Sequence, residues 1–131
     1  MTKTLDFYFD FLSPYSYLAW SKWQRLKDNF DVTYCIYPVL LSRVIYAQGG
    51  VGPAEIDVKR NYLFKDILIK SIEENIPFFP PRRLPFNSQF LLRMASLDED
   101  QKSQEKLIDI LFSLIWTGKV DPENLSEIEN E

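Results

Sequence analysis

Two hydroxyls stand three residues apart in Ser13-Pro14-Tyr15-Ser16, between a strand-like run, Leu5-Asp6-Phe7-Tyr8-Phe9-Asp10-Phe11, and a helix-like run from Tyr17 to Lys27. Two hydroxyls cannot form a disulfide, so this corner does no electron transfer. What it offers is a hydroxyl at a helix N-terminus, where unsatisfied N–H groups and the helix dipole favour negative charge. A thiolate carried in by another molecule would suit that setting. Ser13 also reads as a plain N-cap, with Pro14 at the first helical position. Both readings stand at this point.

Other chemistries are excluded by what is missing. The chain of 131 residues contains no histidine, which removes the commonest general base and the commonest metal ligand together. Ser-His-Asp and Cys-His catalysis cannot be built within it, and no metal site is expected. The single cysteine, Cys35, lies in the strand-like run Val32-Thr33-Tyr34-Cys35-Ile36-Tyr37, where an inert packed thiol is the expectation. A formal charge of −4 supplies no basic stripe for a phosphate backbone, so no nucleic-acid partner is expected. Asp6 and Asp10 interrupt the apolar N-terminal stretch, which therefore does not read as a signal peptide. No run of about 18 apolar residues exists to span a membrane. A soluble cytoplasmic protein with a small-molecule substrate is the expectation.

The elements that must hold the corner follow from periodicity. Residues 5–11 alternate and are rich in aromatics, as a strand buried on at least one face would be. The following helix carries Tyr17, Leu18, Trp20, Trp23 and Leu26, and Val32–Tyr37 is a second strand stopped by Pro38. Strand, helix and strand at this spacing form a βαβ unit with parallel pairing. Beyond Pro38 the pattern is helical: a short element over Leu40–Gln48, a long one from Ile56 to Glu74, one from Asn87-Ser88 to about Leu97, and one over Gln101–Trp116 ending at Gly118. Pro77, Pro80, Pro81 and Pro85 force an irregular extended loop between the second and third of these. Asp121-Pro122-Glu123 is the signature of one more short helix.

Taken in order, four segments resemble the 2-hydroxychromene-2-carboxylate isomerases and the kappa-class glutathione transferases, in the DsbA-like branch of the thioredoxin fold. They are Phe7-Tyr8-Phe9-Asp10-Phe11-Leu12-Ser13-Pro14-Tyr15-Ser16-Tyr17-Leu18-Ala19, Pro53-Ala54 with Lys59 to Asp66, Leu84-Pro85-Phe86-Asn87-Ser88 with Arg93, and Ile115-Trp116-Thr117-Gly118-Lys119. In thioredoxin-type oxidoreductases the same strand-to-helix corner carries Cys-x-x-Cys; here serines replace both sulfurs. The resemblance implies an α/β fold: a thioredoxin-like βαβ half over residues 1–40 and an all-helical DsbA-like part over 41–131.

It further implies glutathione as cofactor, with Ser13 catalytic through a hydrogen bond to the glutathione sulfur. Tyr15, Lys59, Asn87 and Ser88 would join Ser13 at the cofactor, and Tyr62 and Phe86 would face the substrate. Each has a plainer account. Lys59 could be a solvated helix residue, Asn87 a cap, Tyr62 and Asp66 a structural pair, and Phe86, with Phe78 and Phe79, a core plug. The implied activity is a glutathione-dependent cis–trans isomerase of the 2-hydroxychromene-2-carboxylate type. A kappa-like transferase and a non-catalytic scaffold are the alternatives. Members of that family continue into a C-terminal ββα segment with a valine–cis-proline opposite the serine. Nothing after Pro122 resembles it, which leads to the expectation of reduced catalysis and of an uncovered strand or helix face that pairs with another copy as a homodimer or higher homo-oligomer.

Overall fold

In the computed structural model, which describes residues 3–97 and 100–124, strand β1 (Lys3–Phe9) pairs in parallel with β2 (Val32–Pro38). The register runs from Lys3 opposite Val32 to Phe9 opposite Pro38. Helix α1 (Pro14–Leu26) and a short 3-10 turn (Lys27–Asn29) make the crossover, so the βαβ unit is present as its spacing predicts. Parallel pairing sets Phe7 beside Ile36 on one face and Tyr8 beside Tyr37 on the other. The first face is the core face. Phe9 and Phe11 stack edge-on at 5.2 Å, and both meet the ring of Phe112. On the second face the Tyr8 and Tyr37 rings stack 4.9 Å apart and stay exposed.

Four further helices follow: α2 (Leu41–Ala47), α3 (Asp57–Glu73), α4 (Gln89–Ser96) and α5 (Gln101–Trp116). Their bounds lie within two residues of the expected ones. Asp100 caps α5 through its side chain, accepting the N–H of Ser103. At the other end Gly118 turns the chain with φ +73°, and a Cβ there would sit 2.5 Å from the Phe79 ring, so only glycine fits. Of the apolar α3 positions, Leu63 and Ile67 are buried, whereas Val58, Tyr62, Ile69 and Ile72 are exposed. The helix meets the core along one narrow face, and its second apolar stripe faces outward. Asp121–Asn124 form a turn, and the rest of the expected last helix lies outside the described residues.

Helix α5 anchors the βαβ unit. Trp116 is fully buried; its indole N–H donates to the Phe11 carbonyl at 2.9 Å, just ahead of Ser13. The Trp20 indole of α1 donates to Asp109 of α5 at 3.2 Å. The proline-rich loop closes over the same tryptophan: Phe78 stacks on Trp116 at 5.9 Å, and the Phe79 N–H donates to the Trp116 carbonyl at 2.7 Å. Sheet and helices therefore share one buried cluster, which runs from Phe9 through Ile67 and Leu91 to Ile115. Among the described residues, no helix is long and apolar enough to cross a membrane.

Candidate functional site

Asp10 holds the corner in place, a role that was not read from its sequence setting. It is 1% exposed. One carboxylate oxygen accepts the Leu12 N–H at 3.0 Å and the other accepts the Leu41 N–H at 2.8 Å. The turn after β1 is thereby stitched to the turn after β2. Two backbone bonds add to this, from Ser13 N–H to the Asp10 carbonyl at 3.0 Å and from Val39 N–H to the Phe9 carbonyl at 2.8 Å. A carboxylate between two phenylalanines, Phe9 and Phe11, was the signal that could have marked it. Buried acids persist where they are hydrogen-bonded.

Ser13 follows with extended backbone (φ −91°, ψ 116°), and its Oγ accepts the Ser16 N–H at 3.2 Å. The cap reading holds. It does not compete with the ligand reading, because the accepted bond uses a lone pair and leaves the hydroxyl hydrogen to be aimed elsewhere. Ser13 also lines a cavity of about 320 Å³, with Pro14 and Tyr15 beside it. Leu41, Ser42 and Ile45 of α2, Leu63 of α3, and Leu84 and Pro85 of the proline-rich loop make the facing walls. Ala54 and Glu55 close the rim. Glu55 straps this rim: one oxygen accepts the Tyr46 hydroxyl at 2.6 Å and the other accepts the Gly52 N–H at 3.0 Å.

Tyr15 is held from behind. Its hydroxyl donates to Asp66 on α3, which also accepts from Lys70 at 2.7 and 2.8 Å, and the Lys70 ammonium lies 5.7 Å from the centre of the Tyr15 ring. Loss of water and the Asp66 carboxylate together push the Tyr15 phenol up to about 12, so it stays protonated through the neutral range. Lys70, and after it Tyr15, hold Asp66 below the usual carboxylate range by donating to it. Asp66 is thus hydrogen-bonded to Tyr15 and Lys70, and Tyr62 stands close enough to act on both of them.

The other residues implied by the resemblance lie elsewhere. Lys59 and Tyr62 are exposed on α3 and do not line the cavity. Phe86 is buried in the core, its ring 6.4 Å from that of Trp116. Asn87 sits in a separate surface groove with Arg93 and Glu123; its side-chain oxygen accepts the Gln89 N–H at 3.0 Å. Ser88 is 1% exposed, and its hydroxyl has no hydrogen-bond partner. The structure brings Ser13 and Tyr15 together at the cavity; Tyr62 stands near Tyr15 outside it, and Lys59, Phe86, Asn87 and Ser88 lie apart.

A family model for the DSBA-like thioredoxin domain matches residues 4–130. The chain belongs to the DsbA-like thioredoxin family. Among curated relatives, this DsbA-like chain is 31% identical over 121 residues to a 2-hydroxychromene-2-carboxylate isomerase of Pseudomonas sp. strain C18, covering 91% of the chain and 56% of the relative. The corresponding isomerase of Sphingobium xenophagum is 29% identical, with 98% and 66% covered. Glutathione S-transferase kappa 1 of Rattus norvegicus is 25% identical, with 98% and 58% covered. A solved 2-hydroxychromene-2-carboxylate isomerase superposes with a TM-score of 0.83 at 29% identity, covering 93% of this chain and 61% of that one. The chain thus spans between 56% and 66% of the length of the curated isomerases it matches.

Proposed function

We propose that this DsbA-like chain binds glutathione with its sulfur at Ser13 and uses the thiolate as a reversible nucleophile. The activity is then that of a glutathione-dependent cis–trans isomerase of the 2-hydroxychromene-2-carboxylate type. A hydroxyl hydrogen aimed at sulfur favours the thiolate over the thiol, and the N-terminus of α1 adds its dipole. The thiolate is the reactive form. It adds to the β-carbon of a conjugated carbonyl compound, and the π electrons move onto the carbonyl oxygen. The former double bond turns as a single bond. Elimination then re-forms the double bond and expels the thiolate. No electron acceptor and no metal enter the balance. The observation that carries this reading is the Ser13 cap standing in the wall of a largely apolar cavity.

Kappa-like conjugation is the second reading, supported by the kappa transferases among the relatives. It uses the same thiolate but retains the adduct. In either reading the chain works as a homodimer or higher homo-oligomer, a state that light scattering during size-exclusion chromatography measures directly. The decisive experiment is a calorimetric titration of glutathione into wild type and Ser13→Ala. About tenfold weaker binding in the variant is expected for a lost hydrogen bond to a charged group. Equal binding would move the sulfur site away from Ser13, and no binding to wild type would leave a non-catalytic scaffold.

A further inference from the structure

Three arginines gather in a second groove, of about 420 Å³, which shares only Leu84 with the Ser13 cavity. Arg60 comes from α3, and Arg82 and Arg83 come from the proline-rich loop. In a chain of net charge −4 this is a local excess of positive charge, and among the described residues no carboxylate lines the groove. The guanidinium groups are only partly engaged. Arg60 donates to Asp57 at 2.7 Å and to the Ala54 carbonyl at 3.3 Å, and Arg83 donates to Glu123 at 3.4 Å. Arg82 makes no hydrogen bond or ion pair among the described residues. Each guanidinium carries several N–H donors in a fixed fork, so most of them stay open to a ligand. The Arg60–Asp57 pair is largely exposed, and pairs of that kind hold their members weakly.

The loop presents its two arginines at low entropic cost. Pro77, Pro80, Pro81 and Pro85 fix φ at four positions, and Phe78 and Phe79 tie the start of the loop to Trp116. The rest of the lining is Phe64, Pro80, Pro81 and Leu84, which offer apolar faces to a ring. Forked guanidinium donors match phosphate oxygens two at a time. An uncharged ring would leave those donors unmet, and a bare phosphate would leave the apolar faces open. Three cations in one groove suit a small phosphate ligand and are too short a track for a nucleic-acid backbone. We infer that this groove binds a nucleoside diphosphate, its phosphates held by Arg60, Arg82 and Arg83 and its base laid against Phe64 and the prolines. The site is separate from the sulfur site at Ser13 and does not rest on that reading.

The test needs no glutathione. ADP, inorganic pyrophosphate and adenosine are each titrated by calorimetry into the chain at neutral pH and low salt, without added metal. ADP is expected to bind, and pyrophosphate and adenosine to bind at least about tenfold more weakly, since each keeps only part of the contacts. Arg82→Gln and Arg83→Gln are each expected to weaken ADP by at least about tenfold, for lost hydrogen bonds to a charged group. Lys102→Gln removes the same charge from α5, outside the groove, and should leave ADP within about twofold. All three side chains are exposed, so the variants keep the fold. No ADP binding to wild type, or equal weakening by Lys102→Gln and Arg82→Gln, would overturn the inference. Pyrophosphate or adenosine binding as tightly as ADP would overturn it too. A failed glutathione titration would overturn the Ser13 reading instead and leave these ADP results as they are.

Discussion

Ser13 and Ser88 occupy the same formal position, each immediately before the first residue of a helix, yet they have opposite fates. Ser13 has extended backbone (ψ 116°), and its Oγ caps α1 at the edge of a cavity. Ser88 has near-helical backbone (ψ −1°), makes no cap bond, and keeps a buried hydroxyl without a partner. Asn87 does its work one residue earlier, accepting the Gln89 N–H. An N-cap side chain reaches the N2 or N3 amide only when its own residue is still extended. Residue type before a helix is therefore a weak guide to role, and the backbone leading into the helix separates a working hydroxyl from a buried passenger.

The largest expected effect tests what makes the Ser13 backbone extended. Asp10→Ala removes the carboxylate bond to Leu12 within the corner and the one to Leu41 that joins the corner to α2, and strands both N–H groups. A loss of roughly 3 kcal/mol is expected in denaturant unfolding, from about 1–3 kcal/mol per unpaired amide. A loss under about 1 kcal/mol would mean the corner holds without it. Asp10→Asn keeps one acceptor and should fall between.

Ser13→Ala comes next. A loss of about 1 kcal/mol of stability is expected for the α1 cap, alongside the weaker glutathione binding already described. The matching change at the second helix sharpens the contrast. Ser88→Ala removes an unsatisfied buried hydroxyl and is expected to be neutral or slightly stabilising, within about 0.5 kcal/mol. Asn87→Ala is expected to lose about 1 kcal/mol as the cap that α4 uses. If Ser88→Ala destabilised as much as Ser13→Ala, the two serines would be doing the same job after all.

The smallest effect is a titration. Tyr15 is raised to about 12 by burial and by Asp66, so its protonated form is the one the fold stabilises. The stabilisation is whole below the unfolded value of about 10 and is lost as pH rises from there towards 12. Tyr17, Tyr34, Tyr37 and Tyr46 are raised as well, so ultraviolet titration of tyrosinate should show several phenols ionising late, and Asp66→Asn should bring one of them earlier. No change in Asp66→Asn would mean that burial alone raises it.

Much of this was legible in order along the chain. Alternating aromatics in β1, the Ser13-Pro14 start of α1 and the Gly118 stop of α5 are local signals, because strand pleat, proline φ and glycine's tolerance of positive φ act over a few residues. Position across the fold was not legible. Val58 and Tyr62 share the helical spacing of Leu63 and Ile67, but the helix can bury only one stripe, and its rotation about its own axis is set by what it packs on. Phe86 reads equally as pocket wall or core plug until Trp116 is seen beside it.

Residue order alone established that this chain has no redox pair at its corner, no histidine for acid–base work, and a hydroxyl where a helix begins. Those facts follow from which atoms are present, and no folding could change them. Which groups meet that hydroxyl came from assembly in three dimensions. Asp10 bonds to Leu41 across 31 positions of chain and Tyr15 to Asp66 across 51, and the cavity walls come from α2, α3 and the proline-rich loop as well as the corner. Such contacts depend on how helices settle against a shared core, which is a sum of many small packing terms that no short run of residues encodes.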